Sequence, residues 1–173
     1  MQKNDYEEIL PVIDGAGNII GSASRSECHS GSMMLHPVVH LHILSKDNKI
    51  LLQKRSKAKQ IQPGKWDTAV GGHIGLGESV EMALKREALE EVGLSTFAAD
   101  RIAVYENKTD AERELVYTHV THVDEGYIPI VEYGESDELR FWDIEEIDRF
   151  IGSGIFTPNF EYEFATYLKN YPK

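Results

Sequence analysis

Between Gly71 and Leu94 the chain reads GGHIGLGESVEMALKREALEEVGL, and no other stretch limits the fold as tightly. A short strand-like run, DTAVGGHI, ends in glycines. Ser79 to Val92 then reads as helix, with Gly93 placed as its C-terminal cap. Strand, loop and helix are thus fixed in one segment. Glu87, Glu90 and Glu91 fall within an arc of about 100°, because residues three and four apart are neighbours on a helix. Their carboxylates can converge on one point. Val80, Leu84, Ala88 and Val92 form an adjacent apolar stripe that would dock the helix on a sheet. Acids crowded beside a buried edge repel one another unless a cation neutralises them, and Mg2+ or Mn2+, which favour oxygen ligands, would do so. A glutamate-rich helix is elsewhere a plain solvated face. Here the preceding loop argues otherwise, since glycines at 71, 72, 75 and 77 let the backbone approach a phosphate closely.

The remaining chain supplies the sheet that such a helix needs. EILPVID and IIGSAS flank the turn Asp14 to Asn18, predicting an N-terminal β-hairpin within an extension over residues 1–34. SRSECHSGSMML reads as a short helix or loop. His36 to Ser45 and ILLQKRS, separated by KDNK, form a second hairpin. Lys57 to Trp66 is a loop marked by Pro63-Gly64. Strands are expected at DRIAVYEN and ELVYTHVTHVD, a strand end then a helix from Arg140 to Gly154, and a last helix from Asn159 to Tyr171. Strands and helices interleave irregularly, so the expected class is α+β, layered around a mixed β-sheet. At 173 residues, one domain spanning residues 1–173 is the natural organisation.

Composition narrows the partners. A formal charge of −11 argues against nucleic acid, whose phosphates are gripped by Lys and Arg clusters. No apolar run approaches the ~18 residues that cross a bilayer, so no membrane partner is expected. MQKNDYEEILPV carries no export signal, and the one cysteine, Cys28, can form no internal disulfide; a cytoplasmic location is expected. Oligomeric state is open, and a homodimer would be unsurprising.

The fixed positions in the opening segment resemble the Nudix box, residues 72–94. Gly72, Glu78, Arg86-Glu87, Glu90-Glu91, Gly93 and Leu94 occupy its spacings, with Ala88 small where a larger aliphatic is usual. The resemblance implies an α/β/α sandwich and metal-dependent cleavage of a small-molecule diphosphate, typically a nucleoside diphosphate linked to another moiety. It implies Glu87, Glu90 and Glu91 as catalytic metal ligands, Arg86 as the residue orienting them, and Glu78 as support for the loop or a metal-bound water. A further carboxylate completes proton transfer, from the helix or from a later loop, where Glu138 is the candidate. Lys54 and Arg55, with Gly71 and Gly72, would bind the substrate phosphates; the two cations otherwise read as hairpin-edge solubility charges. Trp66, Tyr105 and Tyr117 could stack a base, although sheet aromatics more often simply pack.

The flanks, DGAGNIIGSASRSECHSGSMMLH and KRSKAKQIQPGKWDTAVGGHIGLGES, look like isopentenyl-diphosphate isomerases. His29, His36, His73, Glu112 and Glu114 can be laid over the metal ligands of those enzymes, while a lone strand histidine such as His36, His40 or His42 otherwise serves packing. Both readings stand at this point. The isomerase, however, needs a cysteine acid/base immediately before the Gly-His, and this chain has Gly71 there; Cys28 is far away in sequence. The resemblance therefore favours a hydrolase, with an isomerase-like enzyme or a non-catalytic diphosphate-binding domain as alternatives.

Overall fold

The computed structural model describes residues 8–131, 134 and 136–172. Its hub is β3, Leu35–Leu44, a ten-residue strand in which nine residues are buried. One edge of β3 runs parallel to β8, Arg113–His122, in register from Leu35 opposite Arg113 to Leu44 opposite His122. β7, Asp100–Lys108, adds antiparallel outside β8. The other edge of β3 is shared. β6, Val70–His73, pairs with it from Val38 to Leu41, whereas β4, Ile50–Arg55, meets it only at Leu44 opposite Ile50. β4 then turns away to pair with β5, Trp66–Thr68, and with β9, Ser136–Trp142. The sheet is mixed, and it splays between β6 and the β4 arm.

Strand alternation sends β3 side chains to opposite faces. Val39, Leu41 and Ile43 pack with Leu51 of β4 against Ala83, Leu84, Ala88 and Val92 of α2, Val80–Val92. Leu44, Ile50, Leu52 and Trp142 face the other way, onto Ile147 of α3, Ile144–Phe150, and Phe160 of α4, Pro158–Glu163. Helices on both faces of a mixed sheet make the expected α/β/α sandwich. Among the described residues the N-terminal hairpin, β1 (Ile9–Ile13) and β2 (Ile19–Ser24), pairs only with itself, and it leads into α1, Arg25–Cys28. Its turn is held by Asp14, whose Oδ1 accepts from the backbone N–H groups of Ala16 and Asn18.

Three details depart from the sequence reading. The run DTAVGGHI is two strands, β5 and β6, divided at Ala69, because its halves pair with different partners. Trp66, read as loop, opens β5. The last helix does not run evenly to Tyr171: α4 ends at Glu163 and continues as a π-helical turn over Phe164–Leu168. Phe160, Phe164 and Leu168 still face the core across this wider turn.

Candidate active site

The helix that carries the acids is fixed at both ends. Ser79 accepts the backbone N–H of Met82, and Gly93 closes the helix in the left-handed region, φ 70°. Within that frame Arg86 is an organising centre. Its Nε and Nη2 donate to the two oxygens of Glu78 at 2.8 and 2.9 Å, and Nη2 also donates to the His73 carbonyl at 3.0 Å. Nη1 pairs with Glu87 and, at 3.4 Å, with Glu90. Glu78 in turn accepts the Gly75 N–H at 2.9 Å, tying the glycine loop to the helix. The hydrogen bond to Glu78, above all, raises the Arg86 pKa further above its ordinary value.

The other carboxylates meet β6. A Cβ at position 72 would run into the Glu87 carboxylate, so only glycine allows this approach. Glu91 accepts the Gly71 N–H at 3.0 Å and Gln53 Nε2 at 3.1 Å. Glu87 and Glu90 thus share Arg86 Nη1, whereas Glu91 turns to Gly71 and Gln53. Gln53 was not singled out in the sequence, because only the β4 pairing brings it beneath the helix.

A second constellation lies on the opposite face. His36 stands across from Glu114 in the β3–β8 register, and His73 across from Val38 in the β3–β6 register. His29, just after α1, joins them, with Nε2 3.0 Å from His73 Nε2 and Nδ1 2.9 Å from Glu112. Among the described residues, two triads bring donor atoms within 4.8 Å of one another: His29, His36 and His73, and His36, Glu112 and Glu114. The box glutamates are not such a triad. His36 donates its Nδ1–H to the Met34 carbonyl at 3.0 Å, while its buried Nε2 has no hydrogen-bond partner among the described residues. Burial holds the His36 pKa down to about 4, which keeps the ring in the neutral form that ligates metals. Burial and the neighbouring Glu112 raise the Glu114 pKa. A set of imidazole nitrogens and carboxylate oxygens fits a transition-metal divalent ion better than Mg2+, whereas the all-oxygen box fits Mg2+ or Mn2+. Glu8, ahead of β1, adds an unforeseen carboxylate 3.6 Å from His73; the His73 hydrogen bond drives its pKa down to about 2.

The remaining sequence candidates are scattered. Lys54 and Glu138 face each other across the β4–β9 register, on the side of the sheet away from α2, and Lys54 lies over the Trp66 ring. The structure does not bring them to the helix glutamates, because alternation from Leu51 and Gln53 turns them to the other face. Arg55 donates to Asp67 and to the Ile61 carbonyl. Trp66 is buried in the second core, and the Tyr117 hydroxyl lies beside Gly17 at the hairpin turn. Cys28 is fully buried with Leu10 and Ala23, and burial pushes its thiol pKa up, so it offers no thiol to the site.

Residues 34–160 match the family model described as NUDIX domain. The chain belongs to the Nudix family. An isopentenyl-diphosphate Delta-isomerase from Leifsonia xyli is 40% identical over 92 residues, 53% of this chain and 49% of its own length. An uncharacterised Nudix hydrolase from Nostoc sp. is 37% identical over 87 residues, 50% and 52% of the two chains. The chain spans about half the length of these curated relatives. A crystal structure of a Deinococcus radiodurans protein superposes with a TM-score of 0.79 at 18% identity, covering 91% of this chain and 98% of the other. At that identity the likeness is one of fold alone. Among the described residues, no helix is long and apolar enough to cross a membrane.

Proposed function

We propose that this Nudix protein is a divalent-metal-dependent hydrolase that cleaves the diphosphate linkage of a small molecule in the cytoplasm, working as one domain. The observation that carries the reading is the acid cluster around Arg86: Glu78, Glu87 and Glu90 converge on its guanidinium, with Glu91 beside them on the Gly71 N–H. That surplus of negative charge suits Mg2+ or Mn2+, with Glu87, Glu90 and Glu91 as the ligands. Such an ion would neutralise diphosphate charge and lower the pKa of the attacking water.

The chain's own groups do the rest. Arg86 fixes the orientation of Glu87 and Glu90, and Glu78 couples it to the glycine loop. Glu91 holds the Gly71 N–H, so the floor of the site is set before substrate arrives. Glu90, whose side chain is 38% exposed, takes the proton released by water attack. Arg55, at the mouth of the splayed sheet, attracts the phosphates. The His29, His36, His73, Glu112 and Glu114 cluster supplies a second metal position on the other side of Gly71.

The isomerase reading has two observations in its favour: curated relatives of that name, and the gathering of His29, His36, His73, Glu112 and Glu114, which overlay the isomerase metal ligands. Against it stand Gly71, which carries no thiol, and Cys28, sealed inside the hairpin core. Nucleoside diphosphate sugars, dinucleotides, nucleoside triphosphates and isopentenyl diphosphate, each with Mg2+ or Mn2+, separate the readings. Release of phosphate or nucleoside monophosphate supports hydrolysis. Conversion of isopentenyl diphosphate without phosphate release would replace that reading with the isomerase, and binding without any product would leave a binding module.

A further inference from the structure

Two carboxylates meet histidines outside the acid cluster, and they differ in what they leave open. Glu163, the last residue of α4, is fully buried. Its oxygens lie 3.0 Å from His40 Nδ1, 2.8 Å from His42 Nε2, 2.7 and 3.3 Å from the hydroxyls of Thr118 and Thr68, and 2.9 Å from that of Tyr105. That centre is closed. Glu8, directly ahead of β1, is instead anchored on one side and reaches an imidazole on the other. Its backbone carbonyl accepts the Arg25 N–H at 2.8 Å, and its Oε2 lies 3.3 Å from Arg25 Nη1. The same oxygen is 3.6 Å from His73 Nδ1. Glu8 therefore joins the open end of the hairpin, where β1 begins and β2 gives way to α1, to a strand of the central sheet.

The imidazoles of the histidine triad share one plan. His36 donates its Nδ1–H to the Met34 carbonyl, His29 Nδ1 lies 2.9 Å from Glu112 Oε2, and His73 Nδ1 faces Glu8. The opposite nitrogens turn to the centre of the triad. Nε2 of His29 and Nε2 of His73 are 3.0 Å apart, and Nε2 of His36 is buried without a partner among the described residues. An oxygen behind Nδ1 keeps the proton there, which leaves the Nε2 lone pair to ligate. For His73, Glu8 is the one acceptor among the described residues that stands behind Nδ1.

We propose that Glu8 is a positioning residue for the second metal position: its carboxylate holds the His73 ring with the proton on Nδ1 and Nε2 turned to His29 and His36, so that the N-terminal hairpin takes part in metal binding. This rests on the second position as proposed above and adds a residue from outside its five ligands. The main chain alone does not set the ring. Pairing opposite Val38 and the Arg86 bond to the His73 carbonyl fix the backbone, and the imidazole is still free to turn about its Cβ–Cγ bond. A flipped ring or the other tautomer would withdraw the Nε2 lone pair from the centre. Arg25, bonded to the Glu8 carbonyl and carboxylate, keeps that carboxylate in place before any ion arrives. The ion suited to three imidazoles is one that accepts nitrogen, such as Zn2+ or Co2+.

The test titrates Co2+ into the full chain with Mg2+ in excess to fill the oxygen box. Binding is read from the visible absorption of Co2+ and from the hyperfine-shifted ring N–H protons of its histidine ligands. Glu8→Ala is expected to weaken Co2+ by about 10- to 100-fold and to shift or erase the His73 Nδ1–H signal, while those of His29 and His36 persist. Glu8→Gln, which keeps an acceptor oxygen on a stem of the same length, should recover most of the affinity. Arg25→Ala breaks the ion pair within the hairpin but leaves the His73 contact, and should stay within a few-fold of wild type. Wild-type affinity with an unmoved His73 signal in Glu8→Ala would overturn the assignment. An equal loss in Glu8→Ala and Arg25→Ala would overturn it too, by reducing Glu8 to a brace for the hairpin. Failure of the second metal position itself shows separately, as wild-type protein whose ring N–H signals stay unshifted at saturating Co2+, and the assignment falls with it. Phosphate release with Mg2+ alone reports on the hydrolase reading and is independent of both.

Discussion

Arg86 and Glu163 sit on opposite sides of the Gly71–Gly72 strand and are built on inverse plans. Around Arg86 one cation collects several carboxylates, at a rim where its side chain is 29% exposed. Around Glu163 one carboxylate collects two imidazoles and three hydroxyls, with no exposure at all. The first centre keeps surplus negative charge, which water tolerates and which a divalent cation can use. The second must be balanced internally, because an unpaired charge at that depth costs several kcal/mol. The rim centre is therefore suited to chemistry, and the buried one to holding α4 on the sheet and orienting His40.

Substitutions test that division. Glu163→Ala, which strands two imidazoles and three hydroxyls, should lower unfolding free energy by about 3–5 kcal/mol in a denaturant titration. A loss under 1 kcal/mol would mean the buried centre is not a structural one. Glu90→Gln or Glu91→Gln should cut hydrolysis by about 100- to 1000-fold with an unchanged melting temperature. Turnover at the wild-type rate in both would remove the rim centre from the chemistry. Arg86→Lys keeps the charge but not the bidentate grip on Glu78, and should reduce activity or Mg2+ affinity by about 10- to 100-fold.

A pH series sharpens the contrast further. The folded pKa of His40, about 9, lies above its ordinary 6.5, so its pairing stabilises fully below pH 6.5 and is lost as pH rises through about 9. The stability gap between wild type and His40→Asn should shrink over that window; a gap independent of pH would refute the charged pair. The smallest effect belongs to the helix end. Ser79→Ala removes the cap on Met82 and should cost about 1 kcal/mol, measured as a shift in the unfolding midpoint at constant slope.

The two centres also differ in how far they could be read from sequence. Glu78, Arg86, Glu87, Glu90 and Glu91 lie on one loop and one helix, where a period of 3.6 residues decides who neighbours whom. Their pattern was visible before any fold was known. Glu163 occurs in NFEYEFATY beside Glu161, and nothing local says which acid turns inward; packing of Phe160 and Phe164 on the sheet decides it. His40 and His42 looked like ordinary strand histidines until α4 brought a carboxylate across from them. Glu138 shows the converse. Its place in sequence suggested a catalytic loop acid, but β9 begins at Ser136, and pairing opposite Lys54 turns Glu138 away from α2.

The sequence by itself determined the helix, its C-terminal cap, its acid arc and the glycine that stands where an isomerase needs a thiol, because each depends on spacings along a few turns of chain. Tertiary structure alone decided which face each strand residue meets. Register across β3, β6 and β8 gathers His36, His73 and Glu114, and the docking of α4 sets Glu163 under His40. Those contacts join residues up to 123 positions apart, and burial rather than local geometry fixes them.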